Sequence, residues 1–317
     1  MKKYGFGVDI GGTSIKFGLF DEHSHLVEKW EIPTDSARGG NAVCKSVATE
    51  IQAKIEKYSI SQESLIGVGV GVPAAVDKNG IIVIQGANLR WEDFNVKELL
   101  KGYLGIPVCV LKDVNAALLG EIRHGSAKDT SSAVLITLGT GLGCATLIDG
   151  RLVYGSGGYA GELGHVCVNK DENEPCGCGK LGCLEQYASA SGIVKIARRM
   201  MLKAQVPTVL DGEKMTAKDI FAAYGNGDAL ALGAVKSFAG YLCRAIEYLT
   251  AIIDPQLIII GGGVSLAGEP LLDAIRAESN GSFGFGKCKL RLASLGNDAG
   301  VIGAFSEIIS RTQGGRV

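Results

Sequence analysis

Apolar positions in the first third of the chain fall into short strand-like runs broken by glycine turns, with one clear helical stretch between them. Tyr4 to Phe20 reads as strand, glycine turn, strand. Val43, Val47, Ile51 and Ile55 recur at helical spacing and predict a helix over Asn41–Tyr58. Ile66-Gly67-Val68-Gly69-Val70-Gly71-Val72 reads as a buried strand stopped by Pro73. A short helix over Val96–Leu104, a strand over Val108–Leu111 and a helix over Asn115–His124 follow. This alternation of strand and helix predicts an α/β fold.

At Ala133 the pattern starts again. Val8 to Asp21 aligns without a gap against Ile136 to Asp149, and both read strand, Gly/Thr turn, strand, acidic turn. The match is an internal repeat at domain scale, or a chance likeness of two glycine-rich hairpins. Two lobes, each opening on such a hairpin, would hold a nucleotide in the cleft between them. Helices are expected over Ser189–Ala204, Thr216–Tyr224 and Ala229–Ile253. A strand over Leu257–Ile260 then runs into Gly261-Gly262-Gly263, and a last helix covers Ala299–Arg311. No low-complexity linker separates the halves.

Composition narrows the function. The formal net charge of −1 gives no bulk attraction to nucleic acid or an anionic membrane. Glycine, at 46 of 317 residues, is about twice its usual share, which suits many tight corners and close backbone approaches. No signal-peptide core is visible and no uninterrupted apolar run reaches membrane-spanning length, so a soluble cytoplasmic protein is expected. Nine cysteines without a secretion signal argue against a disulfide framework.

Five places carry candidate chemistry. In Asp9-Ile10-Gly11-Gly12-Thr13-Ser14-Ile15-Lys16, glycine lets backbone N–H groups approach phosphate, Thr13 adds a hydroxyl, Lys16 a positive charge, and Asp9 a carboxylate suited to Mg²⁺. The alternative is a tight hairpin with a capping Asp. Gly139-Thr140-Gly141 repeats the turn without a cation, and Gly262-Gly263 after an apolar strand would let adenosine pass close to the backbone. Neither a Walker A loop nor a dinucleotide fingerprint is present. Asp113 ends a strand and precedes a helix, where it is either a general base or a helix N-cap. Cys176, Cys178 and Cys183, with His165 upstream, offer three thiolates and an imidazole, a closed structural zinc set.

These pieces, together with Lys112-Asp113-Val114-Asn115-Ala116-Ala117, Gly161-Glu162-Leu163-Gly164-His165 and Cys183-Leu184-Glu185, resemble the repressor/open reading frame/kinase (ROK) sugar kinases of the actin–hexokinase superfamily over nearly the whole length. The resemblance implies a two-lobed, actin-like α/β fold of ribonuclease H-like repeats with a cleft between lobes. A smaller lobe would cover 1–117, a larger one 118–298 with the zinc loop, and the helix from about 299 to 317 would pack back on the first. It implies ATP-dependent phosphorylation of a hexose, glucose first, with Mg²⁺ and structural Zn²⁺. Asp113 would be the catalytic base, and Asn88, Lys112, Glu162, His165 and Glu185 would contact the sugar. Lys112 stands where the family usually has Asn, and Ala74 where it usually has Gly, which leaves N-acetylmannosamine, N-acetylglucosamine, allose and fructose as other substrates. The family's habit implies a homodimer or homotetramer. A sugar-responsive repressor would need a helix-turn-helix ahead of the first hairpin, which starts at Tyr4. A non-catalytic sugar sensor would not need Asp9, Lys16 and Asp113.

Overall fold

The computed structural model describes residues 2–35, 37, 39–77, 79–80, 94–203, 206–279, 283 and 288–313. By internal contacts the chain forms two compact units. One holds Met1–Ser131, Ala145–Ala160 and Leu295–Val317; the other holds Ser132–Cys144 and Gly161–Ser294.

The first unit is built on strands β1 (Tyr4–Ile10), β2 (Ser14–Asp21), β3 (Leu26–Pro33), β4 (Leu65–Val72) and β5 (Val108–Lys112), in the order β3-β2-β1-β4-β5. β1 runs antiparallel to β2 and parallel to β4, and β4 runs parallel to β5. One face carries Phe6, Val8, Ile10, Val68, Val70 and Val72, all fully buried. They pack under α1 (Gly39–Lys57) and α2 (Val96–Leu104). The other face is cut back to backbone: Gly5 pairs with Gly67, Gly7 with Gly69, and Asp9 with Gly71.

Into that trench lies α8 (Ala299–Gln313), flanked by α3 (Asp113–His124). A Cβ on Gly7 would sit 2.0 Å from the Val301 carbonyl oxygen, and one on Gly69 1.7 Å from that of Ala304. The glycine alternation that reads as a buried strand is therefore a seat for a helix more than two hundred residues away. Side chains there would hold the helix off the sheet and open voids in the core.

The second sheet has the order β10-β9-β6-β7-β8, from β6 (Ala133–Leu138), β7 (Leu142–Ile148), β8 (Arg151–Leu152), β9 (Leu257–Gly261) and β10 (Lys289–Leu292). Read from β8 it matches the first sheet strand for strand: a hairpin, an outer strand, then two parallel strands. The sequence repeat is therefore structural. Between β8 and β9 lie α4 (Ala190–Lys203), α5 (Ala217–Gly225) and α6 (Ala229–Ile253), and α7 (Glu269–Glu278) precedes β10. The core joins β6 and β9 to Leu230, Phe238, Leu242 and Ile246 of α6. At 25 residues, α6 is long and apolar enough in its most apolar window to match a membrane span by length and composition, although Lys236, Arg244 and Glu247 interrupt its apolar run. Within that window 56% is buried inside the protein, because the apolar stripe of α6 is the wall of this core.

Candidate active site

In the first unit the register of the opening hairpin sets Asp9 opposite Lys16. The turn is closed by Gly11 N–H donating to the Ser14 carbonyl at 3.0 Å, and Thr34 ties it down by donating from Oγ1 to the Gly11 carbonyl at 2.7 Å. Gly12 and Thr13 stand exposed at the tip. Asp113 is the first residue of α3; the N-cap is Lys112, whose side chain makes no cap bond. The Asp113 carboxylate accepts the Val114 N–H at 2.6 Å.

Gly71 brings the two acids together. A Cβ there would lie 3.5 Å from Asp9 Oδ1 and 3.7 Å from Asp113 Cα, so both residues border the same glycine. Burial first, then the charge of Asp113, pushes the Asp9 carboxyl up to about 6, and Lys16 only partly opposes them. Two acids crowded beside a glycine turn make a place that gains from a cation.

In the second unit the hairpin Gly139-Thr140-Gly141 is closed by Gly139 N–H to the Gly141 carbonyl at 3.0 Å. The start of α4 grips it: Ala190 N–H donates to the Gly139 carbonyl at 2.8 Å, and Ser191 Oγ to the Thr140 carbonyl at 2.7 Å. A cavity of about 680 Å³ opens beside Thr140, lined by Ser191, Val194, Arg198 and Met215 among others. Gly262, at φ 82°, follows β9 and presses against the end of β6; a Cβ on it would lie 2.6 Å from the Leu138 carbonyl oxygen. A Cβ on Gly263 would meet nothing within 4 Å.

Glu162, His165 and Glu185 converge. His165 Nε2 is 3.8 Å from Glu162 Oε2, and its Nδ1 is 3.8 Å from Glu185 Oε1. The ligand atoms of His165, Cys176, Cys178 and Cys183 all lie within 4.8 Å of one another. Cys178 Sγ is 3.6 Å from Cys183 Sγ, and Cys176 Sγ is 3.8 Å from His165 Nδ1. Those are the edge lengths of a tetrahedron with metal–sulfur bonds of about 2.3 Å, so the four residues fit zinc. Burial opposes it, but the Lys180 N–H and the neighbouring thiols hold Cys178 below the usual thiol range. Cys167 is exposed and outside the set. Glu185 also reaches the second hairpin, where its Oε2 accepts the Leu142 N–H at 3.3 Å.

Asn88 lies outside the described residues. The sequence reading missed Glu172, which holds the cysteine loop to α4. Only 4% exposed, it accepts paired bonds from Arg199 at 2.9 and 2.8 Å and one from the Tyr187 hydroxyl at 2.6 Å. Nothing in Asn169-Lys170-Asp171-Glu172-Asn173-Glu174 distinguishes it from a solvated loop acid.

Two equivalent sheets, each opening on a glycine hairpin, define the actin-like class of α/β proteins. Within that class the chain belongs to the ROK family, whose pattern it matches over residues 5–310. It is 39% identical to a glucokinase of Halalkalibacterium halodurans over 305 residues, covering 94% of this chain and 92% of that one. Its fold is similar to that of a ROK family glucokinase from Streptomyces griseus in complex with glucose and AMPPNP (TM-score 0.76, 30% identity, 96% of this chain and 98% of that one). It is also similar to a ROK hexokinase from Thermus thermophilus (TM-score 0.79, 30% identity, 97% and 99%).

Proposed function

We propose that this protein is an ATP-dependent glucokinase, with Asp113 as the general base. The reading is carried by the pair Asp9 and Asp113 beside the first hairpin, in a chain 39% identical to a glucokinase. A sugar hydroxyl oxygen bonds to the γ-phosphorus of ATP as the bond to the bridging oxygen breaks. The hydroxyl proton passes to Asp113, and ADP leaves. A carboxylate is a sufficient acceptor because the hydroxyl becomes acidic only as its oxygen bonds to phosphorus.

Asp9 would hold Mg²⁺ through water, with Gly11, Gly12, Thr13 and Lys16 around the phosphates; the ion neutralises charge on the transferring group. The raised Asp9 carboxyl supports this, since a cation would restore its ionised form. The second unit would supply Gly139, Thr140 and Gly141 for phosphate, with the adenosine held by Gly262, Gly263 and the cavity beside Thr140. Asn88, Lys112, Glu162, His165 and Glu185 would take the sugar hydroxyls; the carboxylates accept and Lys112 donates. Zinc on His165, Cys176, Cys178 and Cys183 would fix the imidazole's orientation and take no part in the chemistry, since four protein ligands leave no open position.

A coupled ADP-release assay over glucose, mannose, fructose, allose, N-acetylglucosamine and N-acetylmannosamine tests the proposal. Glucose should give the highest kcat/KM. ATP turnover indifferent to every sugar would overturn the kinase reading, and a stronger response to an N-acetylated hexose would overturn glucose as the substrate.

A further inference from the structure

We infer that Gly300, at the start of α8, is a positioning residue that holds the Asp9 carboxylate in its working place. The inference rests on the proposed role of Asp9 at the metal and phosphates. The two glycines within α8 differ in what they face. A Cβ on Gly303 would strike backbone, 1.6 Å from the Ala116 carbonyl oxygen, which is a demand of helix packing. A Cβ on Gly300 would meet one side chain: its three nearest atoms are Asp9 Cγ and Oδ2 at 2.9 Å and Oδ1 at 3.3 Å.

Carbon atoms pack at about 3.5–4.0 Å, so a methyl group at position 300 must move something by about half an ångström or more. The helix cannot be what moves. Its carbonyls at Ala299, Val301 and Ala304 lie within 2.3 Å of the Cβ positions of Gly120, Gly7 and Gly69, so α8 is seated backbone to backbone against α3, β1 and β4. On the other side, Asp9 belongs to β1, paired through its whole length with β2 and along most of it with β4. The carboxylate is the free element, and it turns away from α8. Gly71 leaves a second gap beside the carboxylate, with a Cβ position 3.5 Å from Asp9 Oδ1. Asp9 therefore lies against two glycines, Gly71 and Gly300, whose missing side chains leave room for its oxygens where they stand. A misplacement of about 1 Å in a group that orients the phosphates costs about a hundredfold in rate, so a turn of about half that size should cost about tenfold.

The test is a double-mutant cycle between positions 300 and 9, read in kcat/KM for Mg·ATP, in the free Mg²⁺ that gives half-maximal rate, in hexose affinity by calorimetry, and in Tm. Gly300→Ala should lower kcat/KM about tenfold and raise the Mg²⁺ requirement several-fold, with hexose affinity within about twofold. In an Asp9→Ala background, where the new methyl meets only another methyl, Gly300→Ala should cost less than about twofold more and leave Tm unchanged. If Gly300→Ala alone does not fold, recovery of folding in the double variant supports the same contact. Wild-type Mg²⁺ dependence in Gly300→Ala, or a loss that persists undiminished in the Asp9→Ala background, would overturn the inference. Wild-type activity in Asp9→Ala alone would instead overturn the role of Asp9, while Tm would still report whether positions 9 and 300 are coupled.

Discussion

Replacing Arg199 with alanine should leave a buried carboxylate short of its main partner. Glu172 is 4% exposed and takes two bonds from Arg199, one from Tyr187, and backbone N–H bonds from Asn173 and Glu174 at 3.0 and 3.1 Å. Removing one partner of a buried ion pair costs about 3–5 kcal/mol. Lys195, at 3.4 Å from Glu172 Oε2, remains as a weaker substitute, so the lower end, about 3 kcal/mol, is expected. For a unit of this size that is a fall in Tm of about 6–12 °C. The double variant Glu172→Gln/Arg199→Met removes both charges and should be less destabilised than Arg199→Ala alone. The sign with pH follows from Arg199, which holds the Glu172 carboxyl far below the usual carboxylate range. A depressed carboxyl stabilises fully above its unfolded value and loses that contribution as pH falls through the folded one. The advantage of wild type over the double variant should therefore be flat above about pH 5 and shrink below it. Thermal and urea unfolding followed by circular dichroism measure all three proteins. A cost below about 1 kcal/mol for Arg199→Ala, or a double variant destabilised as much as Arg199→Ala, would refute the argument.

Asp113→Ala should cut kcat to under about a hundredth while hexose binding by calorimetry stays near wild type; comparable turnover would remove Asp113 as the base. Cys178→Ser should lower Tm and zinc content together, and elemental analysis finding no zinc in the wild type would end the metal assignment. Asp9→Asn should stabilise the protein in Mg²⁺-free buffer at pH 8, by about 2 kcal/mol after allowing for solvent, and so raise Tm. The reason is that burial lifts the folded carboxyl from 3.8 to about 6. Because that value is raised, the native state gains stability as pH falls from 6 towards 4, so the advantage of Asn should vanish there. A Tm difference independent of pH would contradict the burial argument.

Much of this fold is written locally. The stretch Val96–Leu104 and the long helix Ala229–Ile253 were legible to the residue, because apolar spacing, the Asn95 and Asp228 caps and the following Gly105 and Asp254-Pro255 act within a turn or two of chain. The hairpins and their repeat were legible for the same reason. Strand β3 was not: its Leu26 and Val27 are exposed, and Glu28, Lys29 and Glu31 crowd an edge that only pairing with β2 makes a strand. Strand β10 and helix α7 were likewise invisible.

By itself, the order of residues determined the glycine turns, the helices and the chemistry available at Asp9, Asp113 and the cysteine loop, since these depend on side-chain type and near neighbours. Only the tertiary structure decided which distant groups meet. It set Gly300 against Asp9, Glu172 against Arg199, and the glycines of β1 and β4 beneath a helix from the far end of the chain. Close packing rewards such contacts through excluded volume and desolvation, and neither leaves a mark on the sequence around each partner.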